Sequence, residues 1–372
     1  MRVVVTGQVG MDKAEFLEAV AAAGRRWGCA VELFHVGQRM YAEAPDVAAG
    51  RILDLPLSRL NLLRRSVFKD ILAQGAGCEN VILNTHATFR WRHGLFYGFD
   101  HDLMKALNAE LYVVLVDDID RVHARLLRDG HANHTLKDLM VWREEEILAT
   151  ELLSQIVRGH GCFHILARGR GGDNAEALAR LIFARQFRKA YLSFPMTNVT
   201  DAGTLGRIQR FRAEMKNHFV CSDPGDLEEQ RLARLALAAA EAGERFVTVP
   251  GAQCELQIET AELLSIVPDI DGQIYARDFK LIDQSDMIIS LIPGAGGPGG
   301  QSRPIIASGV ERELQHAHEA AKEVFVIWTP QAAPSPFVTE TATRVFPSVE
   351  EAVSFFLASG YVPAPSPGRL FD

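Results

Sequence analysis

Short runs of β-branched and other apolar residues alternate along the chain with longer stretches in which apolar positions recur every three or four residues. That alternation is the βαβ pattern of a parallel sheet covered on both faces, because strands buried on two sides read as continuous apolar runs. In the first half it predicts strands over Arg2–Thr6, Ala30–His35, Asn80–Thr85, Leu111–Asp117 and Cys162–Ala167. Between them it predicts helices over Lys13–Ala23, Leu57–Ala73, Asp120–Leu127 and Leu136–Arg158, the last carrying the run Arg143–Glu146 on an exposed face.

A second cycle then begins. Asp173–Arg185 reads as a helix that closes the first domain, and Lys189–Phe194 as the opening strand of the next. Thr204–His218 and Asp226–Ala242 are amphipathic helices, the second with an acidic first turn that suits the helix dipole. Arg245–Val249 reads as a strand, Ala276–Gln284 as a helix and Met287–Ile292 as a buried parallel strand. A Gly/Pro-rich loop over Gly294–Pro304, a helix over Gly309–Lys322 and a strand over Val324–Thr329 follow. The expectation is an α/β chain of two doubly wound parallel-sheet domains, residues 1–186 and 187–372.

Composition narrows the function classes. A length of 372 residues suits two domains, each able to bury its own core. The net charge of −8 provides no basic excess for a general nucleic-acid binder, and clusters such as Arg64-Arg65 or Arg168–Arg170 read as solvated surface. Cys29, Cys78, Cys162, Cys221 and Cys254 include no CxxC pair, which matches neither a disulfide framework nor a zinc site. The N-terminus runs directly into a strand-like segment without signal-peptide features, and no apolar run is long enough to span a bilayer, so a cytoplasmic protein is expected.

Candidate chemistry lies at two places. The strand Arg2–Thr6 leads into Gly7-Gln-Val-Gly10-Met-Asp12-Lys13-Ala14. Against G-x-x-x-x-G-K-[ST] this keeps the first glycine and the lysine, with Asp12 at the second glycine and Ala14 at the hydroxyl position. In that motif backbone amides cradle phosphates, the lysine reaches the outer ones and the hydroxyl binds magnesium. Ala14 cannot bind magnesium, and Asp12 brings a carboxylate where phosphate oxygens approach. Gly7, Gly10 and Lys13 are the candidate nucleotide-binding residues.

Asn84-Thr85-His86 and the glycine-containing segment up to Gly98 resemble the "DTH" strand end and following loop of archaeal-type adenylate kinases, with Asn84 in place of Asp. Gly37–Ala73 resembles that family's monophosphate-binding helices, and Val113–Arg128 its strand and helix leading to the lid. The resemblance implies a P-loop kinase fold over residues 1–185. Because several parts needed for phosphoryl transfer are missing, the half reads as a nucleotide-binding module, with a structural relic and a working kinase as alternatives. His86 has the bland alternative of a satisfied structural histidine.

In the second half Lys189-Ala-Tyr191-Leu-Ser193-Phe194-Pro195 resembles the opening strand and loop of the nucleoside 2-deoxyribosyltransferase and deoxynucleoside monophosphate N-glycosidase family, with Phe194 replacing a glycine. The segment from Ile274 through Asp278 to Ser290 resembles the family's stretch in which an Asp opens a helix. Ser308-Gly309-Val-Glu311-Arg-Glu313-Leu resembles the segment holding its nucleophilic Glu. The resemblance implies a flavodoxin-like domain with Glu313, Asp278 and Tyr191 as catalytic residues, and Ser193, Pro195, Ser308 and Gly309 as substrate-binding residues.

The chemistry has an independent rationale. Cleaving an N-glycosidic bond builds oxocarbenium character at C1′, which a carboxylate below the sugar traps or stabilises, while a second carboxylate holds the sugar or protonates the base. A Glu in the first turn of a helix after a glycine-containing loop projects into the crevice at the strand C-termini. Acidic residues at a helix start also simply suit the dipole. Ala307 stands where the family has Asp or Ser, and the Gly-rich loop with Ser302 and Arg303 is an anion-binding, lid or plain surface segment.

No metal or other cofactor is expected for glycosidic cleavage, and a nucleotide is the ligand expected in the N-terminal domain. The segment Trp328–Phe337 implies, by the same resemblance, a homo-oligomer. The rival readings are a catalytically silent nucleotide sensor and a nucleoside monophosphate kinase.

Overall fold

Arg2–Thr6 (β1) is the central strand of a five-stranded parallel sheet, and Val3, Val4 and Val5 are each at most 1% exposed. Only a run apolar on every residue satisfies such a position, since both faces of the strand are covered. The computed structural model describes residues 1–91, 94–131, 134–169, 172–197, 199, 201–251, 255–296 and 302–363. Arg170, Cys254, the tip of the Gly/Pro-rich loop and residues 364–372 lie outside them.

After β1 come α1 (Lys13–Arg26), β2 (Glu32–His35), α2 (Val36–Glu43) and α3 (Leu57–Gly75). Next are β3 (Val81–Asn84), a hairpin of β4 (Thr88–Trp91) and β5 (Gly94–Tyr97), α4 (His101–Leu107) and β6 (Leu111–Val116). The series closes with α5 (Ile119–Arg128), α6 (Leu136–Arg158), β7 (Phe163–Ala167) and α7 (Asp173–Phe183). The sheet order is β2-β3-β1-β6-β7, with Val4 opposite Leu83 on one side and Tyr112 on the other. Helix α6 begins with a capping box, Thr135 and Asp138 each satisfying the other's backbone amide.

The chain then lays down β8 (Lys189–Ser193), α8 (Ala202–His218), β9 (Val220–Ser222), α9 (Glu229–Ala242), β10 (Phe246–Pro250), β11 (Glu255–Glu259) and α10 (Thr260–Asp283). It continues with β12 (Met287–Ile292), a hairpin of β13 (Gly294–Gly296) and β14 (Ser302–Pro304), and α11 (Ser308–Glu319). Last come β15 (Glu323–Trp328), α12 (Pro336–Thr339), β16 (Arg344–Phe346) and α13 (Val349–Ala358).

The second five-stranded sheet has the order β16-β15-β12-β8-β9, all parallel. Renumbered within its own sheet this is 2-1-3-4-5, the flavodoxin-like winding. The protein is thus α/β with two doubly wound parallel sheets. Beneath the second sheet Phe325, Phe346, Phe355, Phe356 and Tyr361 pack with ring centroids 5.0–6.2 Å apart. Each fully buried ring contributes roughly 1.5–3 kcal/mol by leaving water.

The two compact units are not two contiguous halves. One comprises Met1–Phe183 and Asp226–Gln273, the other Ala184–Gly225 and the chain from Ile274 onward. The dividing line near residue 184 lies close to the expected boundary, but the segment 226–273, read above as part of the second domain, belongs to the first unit. Buried polar pairing holds it there. Glu229 receives two bonds from Arg143, the second at 3.1 Å, and one from the Ile119 amide at 3.2 Å. Arg231 pairs with Asp120 at 2.6 Å, and the Glu228 amide donates to Asp118 at 2.6 Å.

Other expectations are corrected by the same interactions. Arg143 and Glu146, placed on an exposed face from their charge, are 2% and 1% exposed. The strand expected at Arg245–Val249 forms with β11 an antiparallel hairpin outside either parallel sheet. The helix expected at Ala276–Gln284 starts far earlier, at Thr260, and carries Pro268 within it.

Candidate functional sites

In the first unit the turn after β1 has the backbone of a phosphate-binding loop. Gly7 packs so closely on β6 that a Cβ would stand 2.8 Å from the Leu115 carbonyl oxygen. Gly10 sits at φ 86°, which only glycine adopts without strain. Asp12, at the motif's second glycine, is itself left-handed (φ 47°, ψ 43°) and caps α1 without a side-chain bond.

The charged groups of this loop are satisfied from within the protein. Lys13 is buried, donates to the Gly7 carbonyl at 2.6 Å and lies 3.3 Å from His86 Nδ1. Burial lowers its pKa to about 8, against the opposing field of Glu146. Burial first, then Lys13, holds His86 well below the usual imidazole range, so it is neutral here. Arg128 grips both Asp12 oxygens at 3.0 and 3.2 Å, and Arg125 binds Asp117 at 2.6 Å.

Sequence reasoning missed Glu146. Its carboxylate accepts from the amides of Gly7, Ala87 and Thr88 at 3.1, 2.8 and 2.8 Å and from the Thr88 hydroxyl at 2.6 Å. It ties the phosphate-loop turn to the segment after β3. A run of four charges looks solvated in sequence, and only the packing of α6 shows which of them turns inward. Beside the loop is a cavity of about 370 Å³ lined in part by His35, Asn84, His86, Phe89 and Trp142.

In the second unit Tyr191 and Ser193 lie two residues apart on β8, hence on one face of the sheet. Both are fully buried, and both hydroxyls donate to Glu313, Tyr191 to Oε1 at 3.0 Å and Ser193 to Oε2 at 2.6 Å. Since α11 begins at Ser308, Glu313 stands in its second turn, correcting the first-turn expectation; the dipole is met instead by Glu311. Burial raises the Glu313 pKa to about 8, Ser193 pulls it down, Asp278 raises it and Tyr191 lowers it. Tyr191 is held well above the usual phenol range by burial and by Glu313, so it remains a donor.

Asp278 lies within α10 rather than opening a helix. Burial raises its pKa to about 6, with Arg277 opposing. Its Oδ1 is buried with no hydrogen-bond partner among the described residues, the Arg277 Nε lying 3.8 Å away. The geometry therefore brings Tyr191, Ser193 and Glu313 together and places Asp278 within electrostatic reach. It does not gather the rest. Pro195 is buried in the turn after β8, while Ser308 and Gly309 are exposed at the start of α11. Phe194 turns into the core against Phe211, at 6.4 Å between centroids.

Comparison with known proteins gives the two units different standing. The AAA domain family matches residues 6–143. Adenylate kinase of Pyrococcus abyssi is 29% identical over 187 residues, 48% of this chain and 92% of its own. That of Pyrococcus horikoshii is 28% identical over 185 residues, again 48% and 92%.

Among solved structures, shikimate kinase from Bacteroides thetaiotaomicron covers 50% of this chain and 97% of its own at 13% identity and TM-score 0.34. A 2-deoxyribosyltransferase from Bacillus psychrosaccharolyticus covers 47% and 96% at 11% identity and TM-score 0.29. Among the described residues no helix is long and apolar enough to cross a membrane. The front of the chain thus carries a P-loop, kinase-like nucleotide-binding domain similar to archaeal adenylate kinases, followed by a sheet of flavodoxin-like order.

Proposed function

We propose that the second unit cleaves or transfers at the N-glycosidic bond of a nucleoside or nucleotide, with Glu313 as nucleophile. The observation that supports this best is a carboxylate held by two buried hydroxyls beside a second carboxylate whose Oδ1 has no hydrogen-bond partner among the described residues. Glu313 attacks C1′ as the bond to the base breaks, and the departing electron pair goes to the base nitrogen. Asp278, raised to about 6, holds the sugar or supplies the proton that nitrogen takes up. Water or a second base then attacks C1′ and frees Glu313. Tyr191 and Ser193 fix the carboxylate and disperse its charge.

The reading assigns Pro195, Ser308 and Gly309 to the substrate's surroundings and a nucleotide to the first unit. It requires neither a metal nor a further cofactor. The reading also includes a homo-oligomer; Phe337, on α12, is 89% exposed. A second reading, a catalytically silent nucleotide sensor, is favoured by Ala14 and by the Asp12–Arg128 pairing in the first unit. Chromatography of a nucleoside and nucleotide panel after incubation separates the two. Free base that disappears in Glu313→Gln supports the first, and unchanged base release in that variant overturns it.

A further inference from the structure

We propose that Asp12 is a resident phosphate mimic that closes the P-loop of the first unit to nucleoside polyphosphates. The inference concerns the first unit alone: it narrows the nucleotide proposed there to one that places no polyphosphate in this loop, and it does not depend on the glycosidic chemistry assigned to the second.

Three observations carry it. First, the position of the motif's second glycine has a left-handed backbone although it carries a carboxylate. At the motif's second glycine Asp12 adopts φ 47° and ψ 43°, and Asp and Asn are the side-chain-bearing residues that visit this region most readily. The change has altered what the loop attracts without collapsing its backbone.

Second, the Asp12 carboxylate sits where an anion would, in the grip of arginines. Arg128 reaches Oδ2 through Nη1 at 3.2 Å and Oδ1 through Nη2 at 3.0 Å, the paired arrangement by which a guanidinium holds a carboxylate or a phosphate. Arg125 Nε stands 3.7 Å from Oδ2.

Third, the other groups that a polyphosphate would recruit already have partners. Lys13 donates to Gly7, and Arg125 donates to Asp117 at 2.6 Å and to the Gly10 carbonyl at 3.1 Å. Arg128 also binds Asp129 at 2.8 Å, Arg168 binds Glu15 at 3.2 Å, and the Gly7 amide donates to Glu146 at 3.1 Å. Ala14 has no hydroxyl for a magnesium ion. A triphosphate entering this loop meets a like charge and must break bonds already made before it forms its own. The lowered pKa of Lys13 further weakens the cation it would meet.

The test is titration calorimetry of the full chain with inorganic tripolyphosphate and with ATP, each with and without magnesium, comparing the natural protein with Asp12→Gly and Asp12→Asn. Glycine is at ease in the left-handed conformation and asparagine tolerates it, so melting curves should show both variants folded. Asparagine also keeps the shape of the side chain while removing its charge. Tripolyphosphate lacks base and sugar, and any polyphosphate binding by the second unit is common to all three proteins.

The expected result is an affinity for both probes at least about tenfold higher in the two variants, each tenfold being about 1.4 kcal/mol. Natural protein that binds tripolyphosphate as tightly as the variants overturns the inference. So do folded variants that gain nothing. Neither outcome bears on the role of Glu313, which is read by base release.

Discussion

The loop after β1 and the carboxylate on α11 are the two places where the sequence concentrates chemistry, and they treat charge in opposite ways. Around the loop each ionic group has an ionic or backbone partner: Asp12 with Arg128, Arg125 with Asp117, Lys13 with Gly7, and Glu146 with three amides. Around Glu313 the balance is incomplete. Two neutral hydroxyls face it, and a second buried acid stands within electrostatic reach. A site whose charges cancel resists an ionic ligand, whereas acids held at raised pKa by burial, with Arg277 at 3.8 Å from one of them, are poised to gain a proton or to meet developing positive charge.

The sharpest way to break this comparison is Glu313→Gln. Base release should fall by about 10⁴-fold or more, in line with other nucleophile removals, while the melting temperature holds. A variant that keeps its activity would make Glu313 and Asp278 as inert as the loop.

Next in size is Glu229→Ala, which leaves Arg143 buried without its carboxylate. Denaturant titration should show the first unit losing about 3–5 kcal/mol, and a loss below about 1 kcal/mol would mean that the segment 226–273 is only loosely held.

The pH dependence sharpens the contrast further. In the proposed mechanism Glu313 attacks as the carboxylate, with a pKa raised to about 8. Where Asp278 only holds the sugar, the rate should climb as pH rises through 8 and level off above it. Where Asp278, raised to about 6, supplies the proton, the profile should be a bell with its maximum between 6 and 8. Ser193 lowers the Glu313 pKa, so Ser193→Ala should move that midpoint upward; a downward shift would refute the assigned role.

A smaller effect is expected in the first unit, where burial raises Asp118 from 3.8 to about 7. The folded form then holds the proton more tightly than the unfolded chain. Its stabilising contribution is complete below about pH 4 and is lost as pH rises through 7. Asp118→Asn should flatten that part of the stability profile, and identical profiles for the two proteins would contradict the assignment.

Much of this was legible in the sequence because burial on both faces of a parallel strand leaves an unmistakable run. Arg2–Thr6 and Met287–Ile292 were placed to the residue. Tyr191 and Glu313, both candidates from motifs far apart in the chain, are hydrogen-bonded to each other.

What stayed hidden was set by tertiary packing. Glu146 and Arg143 look solvated because charge on a helix normally is, and only their buried partners reverse that. Helix α10 begins at Thr260, well before the expected Ala276, although it contains Pro268 and Gly272, residue types that disfavour a helix interior. The segment 226–273 has the helix and strand signals of either unit, and its assignment rests on ionic partners more than 80 residues away, such as Arg143 and Glu229. Ser193, expected among the substrate-binding residues, donates to Glu313, a bond that no motif in the sequence signals.

The interleaving of the two units bears on how the molecule is made. Domains tend to fold in the order in which the ribosome releases them. Here the first unit waits for α9 before Arg143 finds its carboxylate, and by then β8, α8 and β9 have already emerged without the β12 and β15 that complete their sheet. Two partly built cores therefore coexist on the nascent chain. Cutting the gene at residue 186 should yield a front fragment that retains a buried guanidinium without its acid, and a back fragment carrying a helix and a hairpin with nowhere to dock.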